Sequence, residues 1–424
     1  KGCSVAINPY TGEVLALVST PSYDNNDFIR GMSSKQWDAL NHDKDKPLYN
    51  RFRQVWCPGS TFKPLAAYAP AIDHNGKTLA TVYDNAPYTY SSGTELKNWD
   101  SDYGYSGLET IHFALVKSVN VVAVKCLTEI TPQVGIDYLE RFGITTLYNN
   151  DLDENGNLLS DAYQPLALGG ITDGVVNLEL TGAYAALANG GNYIKPKFYS
   201  RIEDSQGNVI LDNTSEETRV VKDTTAFLIT KAMEDVIKSP EGTANGSISL
   251  GDMPVAGKTG TTDNSKDIWF EGYTPYYTCG VWGGYDNNDA LPDYDSSFSR
   301  YAKTLWNAIM SRIHAELPVV SFAQPENITT ATVCKKSGKL AVDGLCTADQ
   351  RGSQVYTEYF TTDTVPTQTC DVHVAVAVCT ETGLKASGTC PSTTRVFVQR
   401  PAGSEGTTDD SNYAPPTQQC PGHT

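Results

Sequence analysis

The stretch Cys57-Pro58-Gly59-Ser60-Thr61-Phe62-Lys63-Pro64 decides how this chain is expected to fold. Proline and glycine end any preceding element, and the run from Phe62 to Ile72 has the apolar spacing of a helix. We therefore expect Ser60 in the first turn of a helix, where backbone N–H groups without a helical partner face the helix start. Lys63 follows three positions later, so its amine and the Ser60 hydroxyl share one helix face.

This pair of side chains has the composition of a nucleophile and its base. A serine hydroxyl attacks a carbonyl group effectively only when a base removes its proton. Lysine can be that base when burial or nearby positive charge lowers its pKa from about 10.4. A capping serine beside a surface lysine is the other interpretation of Ser60 and Lys63, and the pair alone does not exclude it.

Two short motifs downstream favour the catalytic interpretation. Ser118-Val119-Asn120 lies at a predicted joint between helices over 107–117 and 121–130. Lys258-Thr259-Gly260-Thr261 ends a predicted strand over 253–261. Ser-x-x-Lys, Ser-x-Asn and Lys-Thr-Gly in this order are the signature of penicillin-binding proteins and class A β-lactamases. Each triplet is common by itself, but their order and context together indicate a serine acyl-transferase.

Further segments resemble high-molecular-weight penicillin-binding proteins over residues 3–316. They are Asn50-Arg51 ahead of the Ser60 motif, Leu166-Ala167-Leu168-Gly169-Gly170, and Leu178-Glu179-Leu180-Thr181-Gly182-Ala183-Tyr184. Residues 267–275 and 281–286 resemble the bifunctional class A branch, whereas residues 20–48 are closer to the class B pattern. Similarity to class A implies a membrane anchor and a glycosyltransferase domain upstream of this chain.

This resemblance implies a fold, a reaction and a set of site residues. The fold would be the α/β (α+β) DD-peptidase and β-lactamase type, an antiparallel sheet flanked by helices. The reaction would be cross-linking of peptidoglycan stem peptides at the extracytoplasmic face of the bacterial membrane, without a cofactor and open to β-lactam antibiotics. The implied catalytic residues are Ser60 as nucleophile, Lys63 as base and Ser118 as proton relay. The implied substrate-binding residues are Asn120 for the substrate carbonyl and Lys258, Thr259, Gly260 and Thr261 for the terminal carboxylate. The N–H groups of Ser60 and Thr261 would form the oxyanion hole.

Two other functions remain open on the same fold. A serine β-lactamase of class A needs a glutamate that holds the hydrolytic water, and Glu154 and Glu179 are candidates by position only. A non-catalytic sensor would bind β-lactams or peptidoglycan without turnover, although the intact motifs argue against it. The sequence also leaves open the acceptor amino acid and the balance between transpeptidation and carboxypeptidation.

Composition limits the class of protein and its organisation. A chain of 424 residues with 40% hydrophobic and 19% charged residues is typical of a globular protein with more than one domain. A net charge of −17 without a basic run argues against a nucleic-acid partner. We predict a transpeptidase domain over 1–318, a cysteine-repeat β extension over 319–400 and a mobile tail over 401–424.

The extension contains a weak internal repeat. Val333-Cys334-Lys335-Lys336-Ser337-Gly338 recurs 45 positions later as Val378-Cys379-Thr380-Glu381-Thr382-Gly383. Equivalent pairs in equivalent units are expected to form equivalent bonds, each contributing up to roughly 3 kcal/mol to a module with a small core. The predicted disulfides are Cys334–Cys346 and Cys379–Cys390, which leaves Cys370 and Cys420 to pair with each other.

Zinc is the second interpretation of these cysteines, because four of them could gather from the two repeats. The spacing lacks the close Cys-x2-4-Cys pair that structural zinc sites usually contain, which ranks zinc below disulfides. No metal site is predicted in the transpeptidase region, where no histidines are paired at ligand spacing. His112 and His314 are interpreted there as surface or core residues.

Overall fold

A computed structural model describes residues 1–262, 265–292, 297–404 and 406–422, without the side chains of residues 297–299. Its α-helices are α1 (Asn25–Arg30), α2 (Ser34–Asn41), α3 (Ala69–His74), α4 (Ile111–Lys117), α5 (Asn120–Ile130), α6 (Pro132–Arg141), α7 (Asn177–Ala188), α8 (Asp223–Lys238) and α9 (Ser297–His314). Within these described ranges, no helix has the length and apolar character needed to cross a bilayer.

The strands of the first three quarters are β1 (Gly2–Ile7), β2 (Val14–Thr20), β3 (Val55–Trp56), β4 (Val82–Asn85), β5 (Tyr88–Thr89), β6 (Glu95–Leu96), β7 (Gly107–Thr110), β8 (Asn149–Leu152), β9 (Leu158–Ser160), β10 (Val175–Val176), β11 (Asn192–Ile194), β12 (Arg201–Glu203), β13 (Val209–Asp212), β14 (Glu217–Arg219), β15 (Ala256–Thr261), β16 (Asp267–Tyr273) and β17 (Thr278–Gly284). Those of the last quarter are β18 (Ile328–Cys334), β19 (Val355–Thr361), β20 (His373–Cys379) and β21 (Ser392–Val398).

A five-stranded sheet organises the larger part of the chain. Its strand order is β15-β16-β17-β1-β2, and every neighbouring pair is antiparallel. Strands β1, β16 and β17 are buried along their whole length, although β16 includes the carboxyl groups of Asp267 and Glu271. Strand β15 is at the edge, which leaves the Lys258 motif beside the helical part of the molecule.

Helices cover the two faces of this sheet. Trp306 in α9 packs edge-on against Phe270, with ring centroids 5.2 Å apart, and its indole N–H donates to the carbonyl of Cys279 at 2.8 Å. On the face that carries Glu271, the helices are α7 and α8, and the Tyr273 hydroxyl lies 2.7 Å from Thr230 Oγ1 in α8. The expected antiparallel sheet flanked by helices is therefore confirmed.

The helix predicted after Pro58 is present but changes its pitch. It begins as a 3₁₀ turn over Gly59–Phe62, widens to π-helical pitch over Lys63–Tyr68 and continues as α3. The widening precedes Pro70, which has no backbone N–H to give to the α-helical acceptor four residues earlier. Ser60 lies in the first turn, as the sequence predicts.

One predicted helix differs at its start. The prediction covers residues 107–117, but Gly107–Thr110 form β7, which pairs with β4, and the helix α4 begins only at Ile111. The Thr110 hydroxyl accepts the N–H of Phe113 at 3.4 Å and so caps the helix. Helical periodicity in the preceding residues is overridden by this strand pairing.

Two similar hairpins form the C-terminal module, defined here as residues 328–422. β18 pairs with β19 and β20 pairs with β21, and β18 and β20 show the same alternation of buried and exposed residues. The two copies of the predicted repeat therefore adopt the same local structure.

The segment over 401–424, predicted to be a mobile tail, contacts the rest of the chain in the part that the structure describes. Asp410 is buried, accepts the N–H of Leu108 at 2.6 Å and lies 2.8 Å from the Lys336 ammonium group. The polar composition of this segment favoured mobility because it gave no sign of a buried ion pair. Residues 405, 423 and 424 lie outside the described residues.

Candidate active site

Two glycines allow the Ser60 helix and strand β15 to touch. A Cβ atom at Gly260 would lie 2.8 Å from the carbonyl oxygen of Pro58 and 2.9 Å from the Thr61 side chain. Gly59 has a φ of +55°, and a Cβ atom there would lie 3.3 Å from the backbone nitrogen of Thr261. This close approach brings the half-buried Ser60 next to the end of the Lys258 motif.

Ser118 joins the other two motifs. It ends α4 in the left-handed conformation, with φ 61° and ψ 41°. Its hydroxyl oxygen accepts from Lys258 Nζ at 2.8 Å and from Lys63 Nζ at 3.2 Å. Lys63 also donates to the Ser118 carbonyl at 2.5 Å and to Asn120 Oδ1 at 2.7 Å. The structure thus brings together residues from all three sequence motifs.

Both lysines of the site are fully buried, and burial disfavours their charged forms. Burial, reinforced by the charge of Lys258, holds the pKa of Lys63 well below its ordinary value, while Asp100 opposes this shift. Burial, with the charge of Lys303 as a smaller cause, lowers the pKa of Lys258 to about 7. A neutral Lys63 amine can accept a proton, so the environment gives this side chain the property a base needs.

Some residues of this site belong to none of the three motifs and were not predicted from the sequence. Thr243 shares a 2.7 Å hydrogen bond between its hydroxyl and that of Thr259, and its carbonyl accepts from Lys303 Nζ at 3.1 Å. The buried Asn98 caps α5, because its Oδ1 accepts the N–H of Asn120 at 3.0 Å. No local sequence signal marks these residues, since each acts through contacts with distant segments.

An ion pair joins the chain segment that precedes Ser60 to the end of the sheet. The guanidinium of Arg51 is fully buried and donates to both carboxylate oxygens of Asp286, each at 2.7 Å. Bidentate pairs of this kind fix geometry as well as charge. The pair therefore joins the segment around Asn50-Arg51 to the segment that ends at Asp286.

The two glutamates considered for a hydrolytic water are engaged or exposed. Glu179 accepts the backbone N–H of Thr145 at 3.0 Å and its hydroxyl at 2.6 Å. Glu154 is exposed in the turn between β8 and β9. Neither environment corresponds to the glutamate-held water of a class A β-lactamase.

The structure shows neither the Cys334–Cys346 nor the Cys379–Cys390 bond, and these two disulfides stay predictions. It gathers three cysteines in each repeat. Cys370 joins the first cluster and Cys420 joins the second, so the structure places these two in different clusters and not next to each other. His373 completes the first cluster, and the Cys-x2-His spacing at 370–373 is the sequence signal for it.

Comparisons with known proteins agree with this fold. The family model described as the penicillin-binding protein transpeptidase domain matches residues 2–311, and the penicillin-binding protein 1A C-terminal domain matches residues 324–375. The crystal structure of penicillin-binding protein 1A from Haemophilus influenzae superimposes with a TM-score of 0.68 at 23% identity, covering 87% of this chain and 54% of that one. PonA1 of Mycobacterium tuberculosis, solved with penicillin V, gives a TM-score of 0.60 at 24% identity, covering 77% of this chain and 81% of that one.

The fold is thus that of a penicillin-binding protein transpeptidase domain. Penicillin-binding protein 1A of Clostridium botulinum is 35% identical over 370 residues, which are 84% of this chain and 43% of the relative. The chain belongs to the penicillin-binding protein transpeptidase family, as the sequence motifs predicted. It spans less than half the length of this curated relative.

Proposed function

We propose that this chain is a peptidoglycan D,D-transpeptidase that cross-links stem peptides through an acyl-enzyme on Ser60 and is blocked there by β-lactams. The observation that supports the proposal most directly is the position of the Ser118 hydroxyl between two buried lysines, 2.8 Å from Lys258 Nζ and 3.2 Å from Lys63 Nζ. Buried amines next to a hydroxyl provide a route for protons between a nucleophile and a leaving group.

The proposed reaction has two halves. Ser60 Oγ attacks the carbonyl carbon of the penultimate D-alanine while its proton passes to Lys63. The C–N bond to the terminal D-alanine then breaks, and the leaving nitrogen takes a proton through Ser118. An acceptor amine attacks the resulting ester, and the Ser60 oxygen leaves with a proton.

Substrate binding is assigned to groups around this pair. Asn120 would hold a peptide carbonyl, and Lys258, Thr259 and Thr261 would bind the terminal carboxylate, since a cation and hydroxyls suit an anion. Gly260 would leave room for the strand to approach Ser60. The N–H groups of Ser60 and Thr261 would stabilise the oxyanion, which the close contact of Gly59 with Thr261 supports.

The whole protein is proposed to act at the extracytoplasmic face of a bacterial membrane. Its resemblance to class A proteins supports a membrane anchor and a glycosyltransferase domain upstream, and the greater length of the Clostridium botulinum relative leaves room for both. Glycan polymerisation would then supply the stem peptides that the Ser60 site joins.

Covalent labelling tests the proposal. Benzylpenicillin should add one mass adduct to the wild-type chain and none to Ser60→Ala, whereas Ser205→Ala, an exposed serine between β12 and β13, should label normally. An adduct that remains in Ser60→Ala would contradict the assignment. Fast loss of the adduct from the wild type would indicate a β-lactamase, and a stable adduct without transfer from a D-alanyl-D-alanine peptide to an amine would indicate a sensor.

A further inference from the structure

The C-terminal module gathers a second set of chemically reactive side chains. The sulfur atoms of Cys334, Cys346 and Cys370 and a ring nitrogen of His373 all lie within 4.8 Å of one another. All four residues are buried. Three thiols and an imidazole converge here from the end of β18, a 3₁₀ turn, a loop and the start of β20.

The separations match those expected around one shared ion. His373 Nδ1 lies 3.4 Å from Cys334 Sγ and 3.5 Å from Cys370 Sγ. In a tetrahedral zinc site, with Zn–S of about 2.3 Å and Zn–N of about 2.0 Å, sulfur and nitrogen ligands are about 3.5 Å apart. A disulfide would join two of the sulfurs at about 2.0 Å and leave the third sulfur and the imidazole without a role.

A carboxylate on the side of the ring away from the sulfurs sets the orientation of His373. Its Nε2 lies 2.9 Å from Asp349 Oδ2, and Arg351 donates to both oxygens of that carboxylate, at 2.9 and 3.0 Å. A carboxylate on Nε2 favours the tautomer with its proton there and leaves the Nδ1 lone pair facing the sulfurs. Metal-bound histidines are commonly held in this way.

The backbone offers hydrogen bonds to the sulfurs themselves. The N–H of Lys336 donates to Cys334 Sγ at 3.4 Å, and that of Val342 donates to Cys346 Sγ at 3.3 Å. In the second repeat, the N–H of Ser387 donates to Cys390 Sγ at 3.4 Å. Such donors stabilise thiolates, the form of cysteine that binds metal.

The second repeat reproduces the arrangement of cysteines. The sulfurs of Cys379, Cys390 and Cys420 lie within 4.8 Å of one another. The N–H of Cys420 donates to the carbonyl of Lys385 at 2.8 Å, just as that of Cys370 donates to the carbonyl of Leu340 at 2.8 Å.

The sequence extends this parallel between the repeats. His423 follows Cys420 by three positions, the same spacing as His373 after Cys370. His423 lies outside the described residues, so this correspondence is one of sequence alone.

The module has little core to hold it together otherwise. Besides the three cysteines, the buried apolar cluster around the first set contains Val372, Val398 and Leu108 of β7, and a second small cluster contains Val333 and Phe360 with Ala80. Small units without a sufficient core usually depend on a disulfide or a metal. A shared ion would supply that link at the centre of the cluster.

We propose that the C-terminal module is a zinc-binding unit, with one ion on Cys334, Cys346, Cys370 and His373 and a second ion on the three cysteines of the second repeat. Soft sulfur ligands with one imidazole favour zinc over harder cations. Four protein ligands leave no open position at the first ion, so its role is structural. The proposal replaces the two disulfides expected from the sequence.

Metal analysis of the purified chain tests this proposal. Protein prepared without chelators should contain two zinc ions per chain, and Cys370→Ser and Cys420→Ser should each lose one. Cys126→Ala, a buried cysteine of α5 outside both clusters, should retain both ions. Replacement by Co²⁺ should give thiolate-to-cobalt charge-transfer absorption that weakens by half in each serine variant.

A milder variant keeps the test valid if the cysteine variants fold poorly. Asp349→Asn retains every proposed ligand but weakens the hydrogen bond that orients His373. Zinc at the first site should therefore be lost to a chelator about 10–100-fold more readily. Wild-type protein without zinc, yielding a Cys334–Cys346 disulfide peptide from an unreduced digest, would overturn the proposal. One ion that is lost in Cys370→Ser but kept in Cys420→Ser would overturn the second site alone.

Discussion

The hydroxyl oxygen of Ser118 accepts a hydrogen bond from Lys258 Nζ at 2.8 Å, across 140 positions of sequence. A serine oxygen can accept two hydrogen bonds, and Lys63 occupies the second position at 3.2 Å. The hydroxyl proton is then the group that Ser118 has left to donate. This arrangement suits a residue proposed to protonate a leaving nitrogen, because neither of the two accepted hydrogen bonds uses the hydroxyl proton.

The lowered pKa of Lys258 predicts a pH limit on acylation. Burial lowers this pKa to about 7, so the amine loses its charge, and with it much of its attraction for a carboxylate, as pH rises through that value. The second-order rate constant for benzylpenicillin acylation of Ser60 should therefore fall above about pH 7, since this constant reports the free enzyme.

Two variants separate this effect from that of the proposed base. Lys258→Arg keeps its charge at high pH, so its acylation rate constant should not fall above pH 7. Lys258→Ala should acylate slowly at every pH, also without a fall above pH 7. Lys63→Ala should abolish acylation at all pH values. If the rate constant of Lys258→Arg still falls above pH 7, the titrating group is not Lys258.

The contact between β15 and the Ser60 helix predicts strong sensitivity at Gly260. In Gly260→Ala the new methyl group would lie 2.8 Å from the carbonyl oxygen of Pro58, so the strand must move away from Ser60. We expect a loss of about 1–3 kcal/mol in the free energy of unfolding, measured by denaturant titration, together with slower penicillin labelling. Gly388→Ala has open space around its Cβ and should change neither quantity.

The buried carboxyl of Glu271 predicts a variant that stabilises the protein. Burial raises the pKa of Glu271 well above 4.5, while Thr181 opposes the shift. The folded state therefore keeps a proton that the unfolded state releases, and stability falls by about 1.4 kcal/mol per pH unit above about 4.5, until the folded pKa is reached.

Glu271→Gln removes this proton linkage while keeping the shape of the side chain. Its denaturation midpoint should exceed that of the wild type at pH 8, and the difference should shrink towards pH 4. The exposed Glu326→Gln should show no such trend. An unchanged or lower midpoint for Glu271→Gln at pH 8 would contradict a neutral buried carboxyl.

A buried pair connects α4 to the C-terminal module. His112 Nδ1 lies 2.9 Å from Glu358 in β19, and its Nε2 lies 3.0 Å from Asp235. Burial opposes the charged imidazole, but Glu358 and Asp235 outweigh it and raise the pKa of His112 to about 10. Because the folded pKa exceeds the unfolded value of 6.5, this contribution to stability is complete below about pH 6.5 and is lost as pH rises through about 10.

The melting temperature of His112→Gln should therefore lie furthest below that of the wild type near pH 6 and approach it towards pH 10. His314 provides the opposite case, because burial lowers its pKa. The wild-type advantage over His314→Gln should grow as pH rises from 5 to 7. Equal pH trends for the two variants would show that His112 is not charged in the folded protein.

The sequence by itself determined the local structure around Ser60 and the identity of the residues that surround it. Proline and glycine before an apolar helical run fix a helix start, and short segments rich in β-branched and aromatic residues predict the strands of the sheet. Ser118, Lys258 and Thr261 are predicted as site residues because their motifs occur in a fixed order, and the family model matches the stretch of chain that contains all of these motifs.

Only the tertiary structure decided how these pieces meet. The left-handed Ser118 between two lysines, the Thr243–Thr259 contact and the burial of Asp410 all depend on contacts between distant segments, for which periodicity carries no signal. The cysteines show the difference most clearly. Their repeat is visible in the sequence, but His373 and Asp349 reach the first cluster only through folding, and their positions there are the basis of the zinc proposal.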